Sequence, residues 1–138
     1  MQAYKVKAIK IAGTSFREVY PKAHHAYNQV KKKTKRRPYV RSAYFKREKV
    51  FLDLFWHHLF EKLNWRDRVR RLQYYACALE LIQYSRLEPK TKENPNKTTE
   101  LYHRFVGLAG NQEFFYVQIK EDKGSGKKYL LSIFPYSE

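Results

Sequence analysis

His103, Lys120, Ser132 and Tyr136 are the side chains whose types and positions could do chemistry together. They fall in three successive alternating segments, LYHRFVGL, EFFYVQIKE and KKYLLSIFPY, and alternation puts every second residue of a strand on one face. Cleaving an RNA phosphodiester without a metal needs a base for the ribose 2′-proton, an acid for the leaving oxygen, and cations or donors for the phosphorane charge. An imidazole serves as base or acid, Lys120 with a neighbouring arginine stabilises charge, and Ser132 and Tyr136 donate hydrogen bonds. Membership of His103 in this set depends on the AGNQ connection. A two- or four-residue turn sets His103 opposite Gln118 and Phe105 opposite Tyr116, beside Lys120 and Ser132. A three-residue loop puts Arg104 there instead, because a one-residue slip moves every side chain to the other face. We expect His103, with Arg104 as the alternative. The competing reading makes His103 a satisfied strand residue and Lys120 an ion-pair partner of its neighbours Glu121 and Asp122.

The elements that must position these groups follow from periodicity. In the second segment Phe115, Val117 and Ile119 point one way, and Tyr116, Gln118 and Lys120 the other. Leu131 and Ile133 match the inward set, leaving Leu130, Ser132, Phe134 and Tyr136 on the open side. The linkers AGNQ and DKGSGK are short enough for antiparallel hairpins. Upstream, Tyr4 to Ile11 reads as a short strand stopped by Gly13. Ser15 and Glu18 have capping-box spacing, but Pro21 would fall inside the helix they start, so the first helix is expected from Pro21 to Lys33. After Pro38 a second helix is expected over 45–63, with Phe51, Leu54, Phe55, His58, Leu59 and Lys62 on one face and Leu52, Trp56, Phe60 and Leu63 on an adjoining stripe. Asn64 caps a third helix that ends near Tyr84, with Trp65, Val69, Leu72, Ala76, Leu79 and Ile82 on its apolar face. RLEPKTKENPNKTT then reads as a long exposed loop. The expected fold class is α+β, with N-terminal helices packed on one face of a C-terminal antiparallel β-meander. It forms a single domain, 1–138, made of a basic segment 1–44, a helical part 45–84, a loop 85–100 and a sheet 101–138.

The charge is uneven. The chain has 138 residues and a formal net charge of +16, and 24 of its 29 basic but only 8 of its 13 acidic side chains lie in residues 1–99. Lys31 to Lys49 alone holds ten basic residues and one acid, interrupted by Tyr39, Tyr44 and Phe45. Such interleaving offers phosphate neutralisation and aromatic stacking to RNA or to single strands. The candidate nucleic-acid-binding residues are Lys31, Lys32, Lys33, Lys35, Arg36, Arg37, Tyr39, Arg41, Lys46, Arg47 and, further on, Arg86. A solvated, partly disordered basic arm is the plain alternative.

The run RVRRLQYYACALELIQYSRLEP, then YHRFVGL, FFYVQIKE and LLSIFP, resembles the helix-plus-meander pattern of phage- and mobile-element-encoded nucleases of the barnase, EndoU, colicin and RelE-like fold group. The resemblance spans roughly residues 65 to 136 and rests on order and spacing. It implies a metal-independent RNA endonuclease, toxin-like, with an antitoxin or immunity protein as a partner and no cofactor. It implies site residues at His103 or Arg104 on the first sheet strand, and at Ser132 before Phe134 and Pro135.

Other chemistries find less support. Asp53, His57 and Glu61 share a helix face at metal-ligand spacing, but without a second ligand cluster they read as a solvent face. His24–His25 and His57–His58 are adjacent pairs whose side chains diverge by ~100° on a helix. There is no phosphate-binding GxxxxGK[ST] loop, no GxSxG elbow and no dinucleotide glycine pattern. The lone Cys77 reads as a buried thiol. No apolar run reaches the ~18 residues of a membrane span, and the lysine-interleaved opening is unlike a secretory signal, so a cytoplasmic location is expected. The competitors to a ribonuclease are a non-catalytic RNA- or DNA-binding protein and a module that docks an acidic protein partner.

Overall fold

Eleven elements follow one another in the computed structural model, which describes residues 2–61 and 64–136. They are β1 (Tyr4–Lys5), α1 (Phe16–Lys33), β2 (Tyr39–Ser42), β3 (Glu48–Phe51), α2 (Asp53–Phe60), α3 (Trp65–Leu72), α4 (Tyr75–Tyr84), β4 (Lys90–Asn94), β5 (Lys97–Leu108), β6 (Phe114–Asp122) and β7 (Lys128–Pro135). The α and β mixture agrees with the expected class. The alternating segments β5, β6 and β7 are antiparallel neighbours. The sheet around them is larger and mixed, in the order β1-β5-β6-β7-β3-β2 with β4 also on β5. β1 joins β5, and β3 joins β7, in parallel. This corrects a purely antiparallel sheet. Parallel neighbours require crossovers through distant chain, which local periodicity does not encode.

Four further corrections bear on what the face carries. First, α1 starts at the capping box: Ser15 Oγ accepts from the Glu18 N–H at 3.2 Å and donates to Glu18 Oε1 at 3.0 Å. Pro21 sits inside the helix, so the reciprocal cap outweighs its one missing backbone donor. Second, 45–51 is not helical. Lys46 and Arg47 turn the chain with φ of 54° and 69°, and β2 pairs with β3 from Tyr39↔Phe51 to Ser42↔Glu48. Buried Val40 and Val50 form one side of this hairpin; the helical spacing around Phe51 arises where strand β3 runs directly into α2. The expected helix end at Lys62 and Leu63 lies outside the described residues. Third, the helix after Asn64 is two helices, α3 and α4, broken at Gln73–Tyr74. Asn64 does cap the first, its Oδ1 accepting from the Arg66 N–H at 2.9 Å. The buried Tyr74 ring stacks on Phe115. Trp65, expected in the core, is 49% exposed. Fourth, the expected loop 85–100 contains β4 and the start of β5, a hairpin closed around Pro95 and Asn96.

Inside the sheet, Phe115, Val117 and Ile119 are fully buried as expected, and Ile133 lies opposite Val117. A register shift pairs Gln118 with Ser132 but Ile119 with Leu130, so Leu131 is an extra residue on β7. The bulge turns Leu130 inward in place of Leu131. The first strand is also shorter than Tyr4 to Ile11, ending at Lys5; beyond it Glu80 accepts from the N–H groups of Lys7 and Ala8, at 2.7 and 3.0 Å. Cys77 is buried, with its thiol pushed up to about 12 by burial.

Candidate nucleic-acid interface

Leu108 and Phe114 are the last pair of the β5–β6 ladder, so the connection closes on an odd number of residues, 109–113. Arg104 is therefore opposite Gln118, and His103 opposite Ile119. This corrects the expected pairing of His103 with Gln118 and of Phe105 with Tyr116. The alternative stated for an odd loop is the one found.

His103 is consequently 6% exposed on the inward side. Thr91 Oγ1 lies 2.8 Å from its Nδ1, and Glu121 Oε1 lies 2.8 Å from its Nε2. Phe45 meets the ring edge to face at 4.9 Å. Lys128, also buried, donates to Glu48 Oε2 at 2.9 Å and lies over the Phe45 ring. The imidazole thus belongs to a packed polar network that ties the β2–β3 hairpin to the meander, with both nitrogens engaged.

The outer face of the sheet has a different composition. Reading across its strands, Lys90 and Lys92 lie on β4, Tyr102 and Arg104 on β5, Tyr116, Gln118 and Lys120 on β6, Tyr129, Ser132 and Phe134 on β7, Lys49 and Phe51 on β3, and Tyr39 and Arg41 on β2. Cations here rest on aromatic rings. Arg104 lies over Tyr116 and Phe134 at 5.4 and 5.3 Å. Arg71, from α3, lies over Phe134 at 5.6 Å, donates through Nε to Asp67 Oδ2 at 3.0 Å, and donates through Nη1 to Ser132 Oγ. Arg37 lies over Phe51 and Tyr129 at 4.7 and 5.0 Å, and Lys49 and Arg41 lie over Tyr39 at 4.7 and 5.5 Å. A ring beneath a cation holds it by quadrupole attraction and fixes where its N–H edge points.

Besides Arg71, acidic groups engage two further cations of this face. Arg37 donates through Nε to Asp53 Oδ2 at 2.8 Å, and this bond raises its already high pKa. Lys120 pairs with Glu100 at 3.3 Å rather than with its chain neighbours, and lies over Tyr129. Burial pushes the Glu100 carboxyl up, but the Asn94 amide and Lys120 outweigh it and hold the group below its ordinary value. Arg104 has no carboxylate within ion-pair distance among the described residues.

The expected binding residues divide accordingly. Lys33, Lys35, Arg36, Arg37 and Tyr39 line one cleft of about 690 Å³ with Lys49, Phe51 and Lys127. Lys31 and Lys32 are exposed on the last turn of α1. Lys46 and Arg47 form the β2–β3 tip, where the Arg47 carbonyl accepts from Arg41 Nη1 at 3.0 Å. Arg86 is exposed in the α4–β4 connection. Among the expected catalytic set, Arg104 and Ser132 lie on either side of Gln118 on the same face, Lys120 lies farther along it, and Tyr136 is exposed just past β7 with its ring 5.7 Å from Tyr116. Arg71, Lys90, Lys92 and Lys127 also belong to this surface and are not among the residues that the sequence patterns single out. The KTK alternation signals the middle pair once 90–94 is read as a strand; nothing local marks Arg71, which reaches the face from a helix.

Asp53, the first member of the spaced acid–histidine set, is engaged by Arg37, and among the described residues no group of three or more His, Cys, Asp or Glu side chains could hold a metal ion. No described helix is long and apolar enough to cross a membrane. No protein-family model matches the chain, and neither a curated protein nor a solved structure is significantly similar to it.

Proposed function

We propose that the protein binds single-stranded RNA along the outer face of its sheet. The observation that carries this reading is the repeated seating of cations on aromatic rings across β2, β3, β7, β6 and β5. Phosphates take the guanidinium and ammonium N–H groups, and bases stack on guanidinium planes and on the faces of the partly exposed aromatic rings; both contacts tolerate sequence variation. Unpaired bases lie open to such contacts, whereas duplex RNA buries them in its stack. Fluorescence anisotropy with a single-stranded RNA dodecamer and the corresponding duplex tests the reading. Tighter binding of the single strand is expected, and equal or stronger duplex binding would reject it.

A second reading, cleavage of the bound strand by attack of the ribose 2′-hydroxyl, is favoured by Arg71 and Arg104 lying over the same Phe134 ring with Arg71 bonded to Ser132. These groups supply donors for phosphorane charge. The proton acceptor would be a group other than His103, whose nitrogens are engaged on the inward side. Incubation of the purified protein with single-stranded RNA tests this reading: cleavage that survives EDTA and is lost in Arg104→Ala supports it, and intact RNA leaves the binding function alone.

A further inference from the structure

We infer that Arg71 and Arg104 form a single seat for one phosphate group of a bound RNA strand, above Phe134 and beside Ser132 and Gln118; this deepens the reading of the outer face and rests on it. The two guanidinium groups arrive from different parts of the fold, a helix and the middle of the sheet, yet lie over the same ring. Ser132 Oγ accepts from Arg71, which leaves its hydroxyl hydrogen to donate. Gln118 Oε1 lies 3.5 Å from Arg104 Nη2, at the limit of a hydrogen bond, and its amide nitrogen has donors to offer. The carboxylate nearby, Asp67, is spent on the Nε edge of Arg71 and acts as a positioning group. Arg71 with its partner Ser132, and Arg104 with its neighbour Gln118, thus meet at the Phe134 ring. Two like charges on one ring repel in the free protein, and an anion between them converts that repulsion into two charge-assisted hydrogen bonds.

Two measurements test the seat. In the first, inorganic phosphate is titrated at constant ionic strength while the Nε–Hε NMR signals of Arg71 and Arg104 are followed. Both should shift with one midpoint, and Arg104→Met should abolish the response of Arg71. In the second, affinity for the single-stranded dodecamer is measured for Arg71→Met, Arg104→Met and the double variant. Each single change should weaken binding about tenfold, the scale of a lost hydrogen bond to a charged group, and the double change should cost little more, because one shared phosphate can be released only once. Melting curves accompany each variant; if Arg71→Met does not fold, Arg71→Lys keeps the charge without the fork and should still weaken binding. Separate midpoints, absent shifts, or a roughly hundredfold additive loss in the double variant would overturn the seat. A parent that gives the joint phosphate shift but binds no RNA would keep the anion site and overturn RNA as its source. RNA binding without the joint shift would leave the outer-face reading intact and remove the seat.

Discussion

A histidine with both ring nitrogens bonded inside the fold contributes through packing and network closure, and His103 is such a residue. Replacing it by alanine takes a partner from Thr91 and from Glu121, which keeps Lys128 at 4.0 Å, and opens space against Phe45. His103→Ala should therefore lower stability by roughly 2–4 kcal/mol, combining the lost hydrogen bonds with a cavity. RNA affinity of the fraction that stays folded should be unchanged. Urea unfolding monitored beside anisotropy checks both halves; a stable variant with weakened binding would return His103 to the interface. Arg104 shows how narrow the difference is in the sequence. It adjoins His103 in the chain, and the choice between them was legible only as a question of turn parity. The five-residue loop that answers it contains Gln112 at φ 68°, a backbone conformation that glutamine does not advertise.

At the scale of elements, the sequence carried most information where one local interaction decides the structure. Asn64 marked the start of α3, and the alternation of Phe115, Val117 and Ile119 marked the buried side of β6. It carried less where two local signals conflict, as at Ser15–Glu18 against Pro21, or where an element depends on its neighbour, as in β4 and the β2–β3 hairpin. Their polar and basic residues become strands only because β5 and β7 supply partners. The capping box that wins at α1 gives a pH-dependent test. The Ser15 hydroxyl, followed by the Thr14 N–H, holds the Glu18 carboxyl below its ordinary value of 4.5. A carboxyl lowered in the folded state stabilises above its unfolded pKa, and that contribution disappears as pH falls through the folded value. Glu18→Gln keeps the box but removes the titration. Between about pH 5 and about pH 3 the variant should consequently lose less stability than the parent, whereas parallel losses in acid denaturation would exclude the capping carboxylate as a source of acid sensitivity. The divided helix gives a second test. Leu72 is fully buried and Trp65 is 49% exposed, so Leu72→Ala should cost about 2–5 kcal/mol. Trp65→Ala should stay near the ±0.5 kcal/mol of surface changes. Chemical denaturation of the two variants should separate them clearly, and a reversed order would place Trp65 in the core.

For the whole molecule, the net charge of +16 predicts attraction to polyanions but says nothing about where they bind. Location comes from topology. The sheet order sets the hairpin cations of β2 and β3 and the meander cations of β5 on the same outer face, separated by the two strands β7 and β6. At ~4.8 Å per strand, Phe51 on β3 and Arg104 on β5 are three steps, or roughly 14 Å, apart. A chain long enough to cross that distance engages both groups at once, so neither group should account for the whole electrostatic contribution. Neutralising Lys35, Arg36, Arg37 and Arg41, or separately Lys90, Lys92 and Arg104, should flatten the dependence of log K on log salt for single-stranded RNA by about 0.7 for each phosphate the protein no longer neutralises. Arg17 and Lys22, on the exposed surface of α1, provide the control. Removing their charge reduces the net charge of the protein but leaves every phosphate on the sheet with its cation, and the slope should hold. If the control pair flattens the slope as much per charge as the sheet residues do, RNA responds to the overall field of a basic protein, and the ordered array of cations on aromatic rings is not the surface it reads.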